Sequence, residues 1–304
     1  MLDLDASRAR PRPSRAAALA LAAAPTPACA GQPARDGWHA RLDLRFAPRH
    51  GRTILAHAAH VGPLRVQRLF HPEGDGAAHA IVLHPPGGLV GGDTLTLDVT
   101  AEPGAVALLT TTGATKLYRS AGAEASQHIT LRVAAGATVE HVPQPVVAFD
   151  GALGRLATHV DLAPGARFLG WEVTCLGRPA AAERLTHGAV HTTLTVFQNG
   201  LPLLVERMSF RGRDMALDAA WGLAGHPAFG TLVATHTPAD AARAALAARP
   251  VPGCLAAATE LGELLVVRVL GPDGEAARRA LEPVRHAVRA AWGRAPHDPA
   301  IWRT

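Results

Sequence analysis

From Trp38 onward, apolar and polar residues alternate in short runs, and this period-two pattern restricts most of the chain to extended strands. In residues 39–46, Leu42, Leu44 and Phe46 fall on one face and Arg41, Asp43 and Arg45 on the other, as a half-buried strand requires. Similar runs recur at 53–59, 64–70, 80–83, 94–100, 105–111, 127–133, 158–162, 167–175, 191–197, 203–210 and 230–235. The spacers between them carry turn chemistry: Glu102-Pro103-Gly104, Ala134-Ala135-Gly136, Ala163-Pro164-Gly165 and Gln198-Asn199-Gly200. The first three are each followed by alanine and a strand, which suggests stacked β-coils. Their spacing has no fixed period, so the pattern predicts an irregular β-sandwich or β-superhelix of many short strands rather than a regular solenoid.

Helical spacing appears only late. Thr237-Pro238-Ala239-Asp240 reads as an N-cap with proline at the first helical position, leading into an alanine-rich stretch to Ala248. Residues 273–292 place Leu281, Val284, Val288 and Trp292 along one face, with Pro283 expected to split or delay the helix. Residues 263–270 read as a strand between the two. The expected fold is mainly β with a small C-terminal helical pair: a β-rich domain over 37–304, within which 237–304 is a candidate α+β subdomain.

Composition narrows the function. Aromatics supply 4% of the 304 residues, so alanine, valine and leucine must fill the interior, as suits closely spaced sheets. The net charge of +5 is partly local, since Arg8, Arg10, Arg12 and Arg15 crowd the start. Later arginines are interleaved with carboxylates, and no aromatic-rich RNA-binding signature accompanies them, which argues against a nucleic-acid partner. Cys29, Cys175 and Cys254 have no paired spacing, which speaks against a disulfide framework or structural zinc and for a reducing, cytoplasmic compartment. Residues 1–36 imitate a secretory signal through Arg15, the Ala/Leu run at 16–24 and Ala28-Cys29-Ala30, but are expected to be a disordered Ala/Pro/Arg-rich leader. No run approaches the roughly 18 apolar residues needed to span a bilayer.

The segment His84-Pro85-Pro86-Gly87-Gly88-Leu89-Val90-Gly91-Gly92-Asp93 encodes backbone that ordinary side chains do not tolerate, and suits close approach to a strand, a partner or an ion. A phosphate cradle would need a lysine directly after the last glycine and then a helix; Lys116, the only lysine, lies far downstream, and Asp93 stands where phosphate wants positive charge. The glycine spacing also fails the dinucleotide pattern. Of the histidine pairs, His57 and His60 point to opposite faces of a strand, and only His187 and His191 share one. His84 is the better-placed metal candidate.

Three blocks stand in order: Gly62-Pro63-Leu64-Arg65-Val66-Gln67-Arg68, then His84 to Asp93, then Thr110-Thr111-Thr112-Gly113-Ala114-Thr115-Lys116-Leu117-Tyr118-Arg119. With Pro143-Gln144, Phe149-Asp150-Gly151-Ala152, Gly177-Arg178 with Glu183, and Glu206-Arg207, they closely resemble the urease accessory protein UreD (UreH) family over most of the chain. The resemblance implies a non-enzymatic, β-rich superhelical scaffold that binds apo-urease and a UreF-type partner, and through it a UreG-type GTPase. It also implies that Ni(II) passes in transit through an internal passage, with no cofactor permanently bound. On that reading His84, Asp93, Glu140, His141 and Glu183 are candidate transient nickel contacts. Gly62, Pro63, Arg65, Gln67, Arg68, Pro85, Pro86, Gly87, Gly88, Gly91, Gly92, Lys116, Tyr118 and Arg119 would shape the loop or meet partners. Family members usually carry an aromatic and a glutamate around the Pro-Gln pair; here His141 precedes it and Pro145 follows, and either His141 or Glu140 offers an acceptable Ni(II) donor instead. A rival reading is a carbohydrate-active β-superhelical enzyme using two carboxylates from among Asp93, Asp98, Glu140, Asp150 and Glu183. Scarce aromatic platforms count against it.

Overall fold

Strands occupy the chain much as the alternation predicts. In this computed structural model, which describes residues 37–303, they are β1 (His39–Arg49), β2 (Arg52–Val61), β3 (Arg65–Phe70), β4 (Ala78–Leu83), β5 (Gly88–Leu89), β6 (Thr94–Ala101), β7 (Val106–Thr111), β8 (Thr115–Leu117), β9 (Ala125–Val133) and β10 (Thr138–His141). They continue as β11 (Val146–Ala148), β12 (Leu153–Leu162), β13 (Arg167–Arg178), β14 (Glu183–Arg184), β15 (Ala189–Gln198), β16 (Leu201–Arg211), β17 (Ala228–Thr235), β18 (Leu255–Leu261) and β19 (Leu264–Gly271). Helices α1 (Ala239–Ala248) and α2 (Gly274–Ala291) fall in the last quarter. The expected leader, 1–36, lies outside the described residues.

A 7-stranded sheet has the order β16-β15-β12-β9-β6-β1-β2. Strands β15, β12, β9, β6 and β1 run parallel, and β16 and β2 close the ends antiparallel. The opposing sheet runs β18-β19-β17-β13-β10-β7-β4-β3, parallel from β13 to β4. A narrow third face pairs β5, β8, β11 and the far part of β13. The chain therefore winds from the first sheet to the second, then to the third face and back, twice in full through β6-β7-β8 and β9-β10-β11. This is the superhelical coil that the repeated spacers suggest.

Those spacers all occupy one corner. Gly104, Gly136 and Gly165 adopt positive φ of 77°, 70° and 74°, and the following Ala105, Ala137 and Ala166 are fully buried and donate back to Glu102, Ala134 and Ala163 carbonyls. Ala137 N–H closes its own turn, while its carbonyl accepts from Arg167 of the next coil at 2.9 Å. The corner thus needs a residue free to take positive φ, then a small side chain that lets the coils stack.

Helix α2 packs its Leu281, Val284 and Val288 face on the outside of the second sheet with Leu169, Trp171 and Val267. Asp273 caps it, accepting from Ala276 N–H at 2.7 Å. Pro283 does not split the helix: α2 runs through it. The lost backbone bond is outweighed by the buried apolar face and by Arg285 and Arg289, both fixed to Glu140. The expected Thr237 cap is also corrected. Its hydroxyl donates to Thr235 O, Pro238 is the N-cap residue, and the carboxylate of Glu260 accepts from Ala239 N–H at 2.8 Å. Strands β18 and β19 of this region extend the second sheet. Among the described residues, no helix is long and apolar enough to cross a membrane.

Candidate functional site

The sheets do not pack tightly everywhere. A cavity of about 400 Å³ lies between them, bounded by Leu95, Leu97, Gln127, Ile129, Leu156 and Thr192 of the first sheet and by Leu109, His141, Glu172 and Thr174 of the second. At one corner of the coil the strands give way to three stacked loops, where exposed Pro85, Thr112 and Gly113 form its mouth: 84–87 between β4 and β5, 112–114 between β7 and β8, and 142–145 between β10 and β11. His84, Pro85, Gly87, Thr112, Gly113, Pro143 and Gln144 line it, with Lys116 at the rim. A separate void of about 10 Å³ shares Glu172, Thr174 and Thr192 with the cavity and is also lined by Glu206 and Thr231.

The ionisable groups along this space are tuned. Burial pushes the His141 imidazole down to about 4, so it is neutral at physiological pH with a lone pair available. Burial also lowers His84, partly opposed by the Asp93 charge, and His84 Nδ1 is buried without a hydrogen-bond partner. Glu172 is pushed up to about 7, chiefly by burial and further by Glu206, against a hydrogen bond from Thr158. Among the described residues, no cluster of three or more His, Cys, Asp or Glu is placed to hold a metal ion. The donors are instead strung out singly along the space.

The sequence model of the family described as UreD urease accessory protein matches residues 39–303. A urease accessory protein UreD of Azoarcus sp. (strain BH72) is 46% identical over 281 residues, spanning 89% of this chain and 96% of that protein. A urease accessory protein UreD of Klebsiella aerogenes is 42% identical over 276 residues, spanning 90% and 99%. This chain belongs to the UreD family.

In this UreD chain the sequence-predicted residues separate into distinct groups. His84 and His141 line the cavity, as do Pro85, Gly87 and Lys116, whereas Pro86 is exposed beside them. Asp93 holds the loop: its Oδ1 accepts from Trp38 N–H and its Oδ2 from Val90 N–H, each at 2.9 Å. Glu140 points to the other side of the second sheet, where it is buried against Arg285 and Arg289. Glu183 accepts from Arg178 and from Asp150 N–H. Asp98 pairs with Arg41, and Asp150 is held by Thr186 and His187; of the carboxylates weighed for glycan chemistry, Asp150 and Glu183 lie side by side, and neither lines the cavity. Tyr118 sets its ring edge-on to Phe149 at 5.2 Å, and Arg119 donates to Asp150 O. Gly62 and Pro63 make the β2–β3 turn, ahead of exposed Arg65, Gln67 and Arg68, and Arg68 lies over Phe70.

The paired glycines divide the work within the loop. Gly87 and Gly92 take positive φ of 73° and 96°, while Gly88 and Gly91 are sites of close approach. A Cβ on Gly88 would lie 2.6 Å from both Lys116 O and Tyr118 Cε2. Gly88→Ala is expected to cost about 1–3 kcal/mol through overpacking. Gly113→Ala, where a Cβ meets nothing within 4 Å, should melt like the parent. Equal melting temperatures for all three proteins would contradict this reading.

Sequence reasoning did not single out Glu172 or Glu206 as site residues. A signal existed for Glu206, which shares strand parity with Leu204, Met208 and Phe210 and so places a carboxylate on the apolar face of β16. Glu172 lies in a strand that is buried on both faces, where alternation is mute.

Proposed function

We propose that this protein serves urease maturation as a non-enzymatic cytoplasmic scaffold that conducts Ni(II) through its interior to apo-urease. In this reading it is held in a complex with a UreF-type partner and, through it, a UreG-type GTPase. Family membership supports the maturation role. The observation that carries the conduction step is the cavity lined by His84, neutral His141 and Glu172, beside a small void that shares Glu172 and is lined by Glu206. Imidazole nitrogen and carboxylate oxygen are both acceptable donors to Ni(II), and donors met one or two at a time bind without trapping. Glu172 offers a second advantage. It is part-protonated near neutral pH, so an arriving cation can displace the proton and leave again as the proton returns.

The test uses co-expression with urease and its accessory proteins. Glu172→Gln removes the central carboxylate at nearly constant shape, and Thr174→Phe fills the neck shared by the two voids. Either change is expected to lower the nickel content of purified urease by roughly tenfold, as losses at metal-supporting positions do, while the UreF-type partner still co-purifies. Full nickel occupancy with both variants would sink the conduction reading.

A further inference from the structure

The small void beside the cavity lies by a step between the sheets. The first sheet stops at β16, whereas the second continues beyond β17 through β19 and β18. Across that step Arg268 of β19 reaches Glu206 of β16. Its Nε donates to Oε2 at 2.7 Å and its Nη2 lies 2.5 Å from the same oxygen, while Thr231 Oγ1 donates to Oε1 at 2.6 Å. The Arg268 side chain is 57% exposed and that of Glu206 only 11%. The guanidinium therefore sits outside, and the carboxylate faces the small void, whose 10 Å³ is the room of about one water molecule.

We propose that Arg268 is the gate at this step: its guanidinium stands in for a metal cation on the last carboxylate of the passage and must swing away before Ni(II) can pass. The proposal rests on the conduction reading above. Arg268 already offsets the Glu206 charge, so a cation coming from Glu172 gains little at this carboxylate until Arg268 leaves. The contact is built to be released. Both arginine nitrogens converge on one oxygen instead of forming the two-oxygen fork that makes such pairs strong. A half-exposed ion pair is also weak in water. On β19, Arg268 is flanked across the ladder by Thr231 and Ala257, neither of which pins its end. A divalent ion carries twice the charge in a smaller volume, so it outcompetes the guanidinium once inside, while a monovalent cation gains little.

The experiment titrates Ni(II) alone into the purified full chain by calorimetry, for the parent, Arg268→Ala, Arg268→Lys and the double variant Arg268→Ala with Glu206→Gln. The gate predicts that Arg268→Ala binds Ni(II) roughly fivefold more tightly, the reach of removing one exposed competing charge. Arg268→Lys should stay close to the parent, and the double variant should lose the gain. Unchanged affinity in Arg268→Ala overturns the proposal, and so does a gain that survives Glu206→Gln. In the assembled urease activation complex, Arg268→Ala should also expose nickel in transit to an external chelator that the parent resists. The two readings separate cleanly. If Glu172→Gln lowers urease nickel while Arg268→Ala matches the parent in both assays, the gate fails and the passage stands. If Glu172→Gln leaves urease nickel unchanged, the passage itself fails.

Discussion

Replacing Glu140 by glutamine is expected to destabilise the fold by about 3–5 kcal/mol, the usual consequence of removing one partner from a buried ionic contact. Glu140 accepts from Arg285 at 2.7 Å and from Arg289 on its other oxygen, and both arginines are fully buried. Arg289 also reaches Glu73, which Arg294 joins at 3.0 Å, so the cluster fastens α2 and the segment before β4 to β10. Without the Glu140 charge, two buried guanidinium groups are left to Glu73, Asp298, main-chain carbonyls and the Trp302 ring. Arg45 and Glu102 form the control, since their half-exposed pair at 3.3 Å should contribute at most about 1 kcal/mol. Urea unfolding of both variants decides the matter. A Glu140→Gln loss no larger than the Glu102→Gln loss would mean that the buried cluster does not hold the helix.

The second large effect is a pH-dependent one at Glu172. Its folded-state value of about 7 lies above the ordinary 4.5, so the fold favours the neutral acid while the unfolded chain ionises freely. The stability associated with the neutral form is therefore complete below about pH 4.5 and is lost as pH rises through about 7. A displacement of this size is worth on the order of 3 kcal/mol. The groups facing Glu172 are the Thr158 hydroxyl and the Glu206 carboxylate, itself paired with Arg268. Glu172→Gln cannot ionise. Its stability relative to the parent should climb by on the order of 3 kcal/mol between pH 4.5 and pH 8, read from urea midpoints at both ends. A difference that stays flat with pH would show that Glu172 titrates as it does in water.

The frame of the fold was legible because a half-buried strand writes itself in alternation. β6 and β12 bury every second residue without a break, and the Pro-Gly-Ala spacers mark their corners directly. The third face was much less so: β5 has only two residues and β8 and β11 three each, too few to show any period. What makes these short pieces strands is pairing to neighbouring coils, a contact distant in sequence. The same limit governs the site. His84 was legible as a candidate from its place before Pro85, and His141 only through the family resemblance around Pro143-Gln144; both line the cavity. Asp93 and Glu140 looked alike in sequence as acidic residues near the same motifs, yet one closes a turn and the other anchors a helix. Only the fold shows which way a carboxylate points.

A coil of parallel strands has no natural stopping point, because each rung leaves its amides and carbonyls ready for another. Here β2 and β16 supply the stop on the first sheet by running against the coil direction, and each carries charge on its outer edge, through Arg52 in one and Arg207 and Arg211 in the other. A truncated chain that ended after β13 would leave β12 bare, a flat ladder inviting the next molecule to add its own rung. Such a fragment should grow end to end into fibres instead of remaining dispersed, so the two antiparallel end strands are what keep this coil a discrete object.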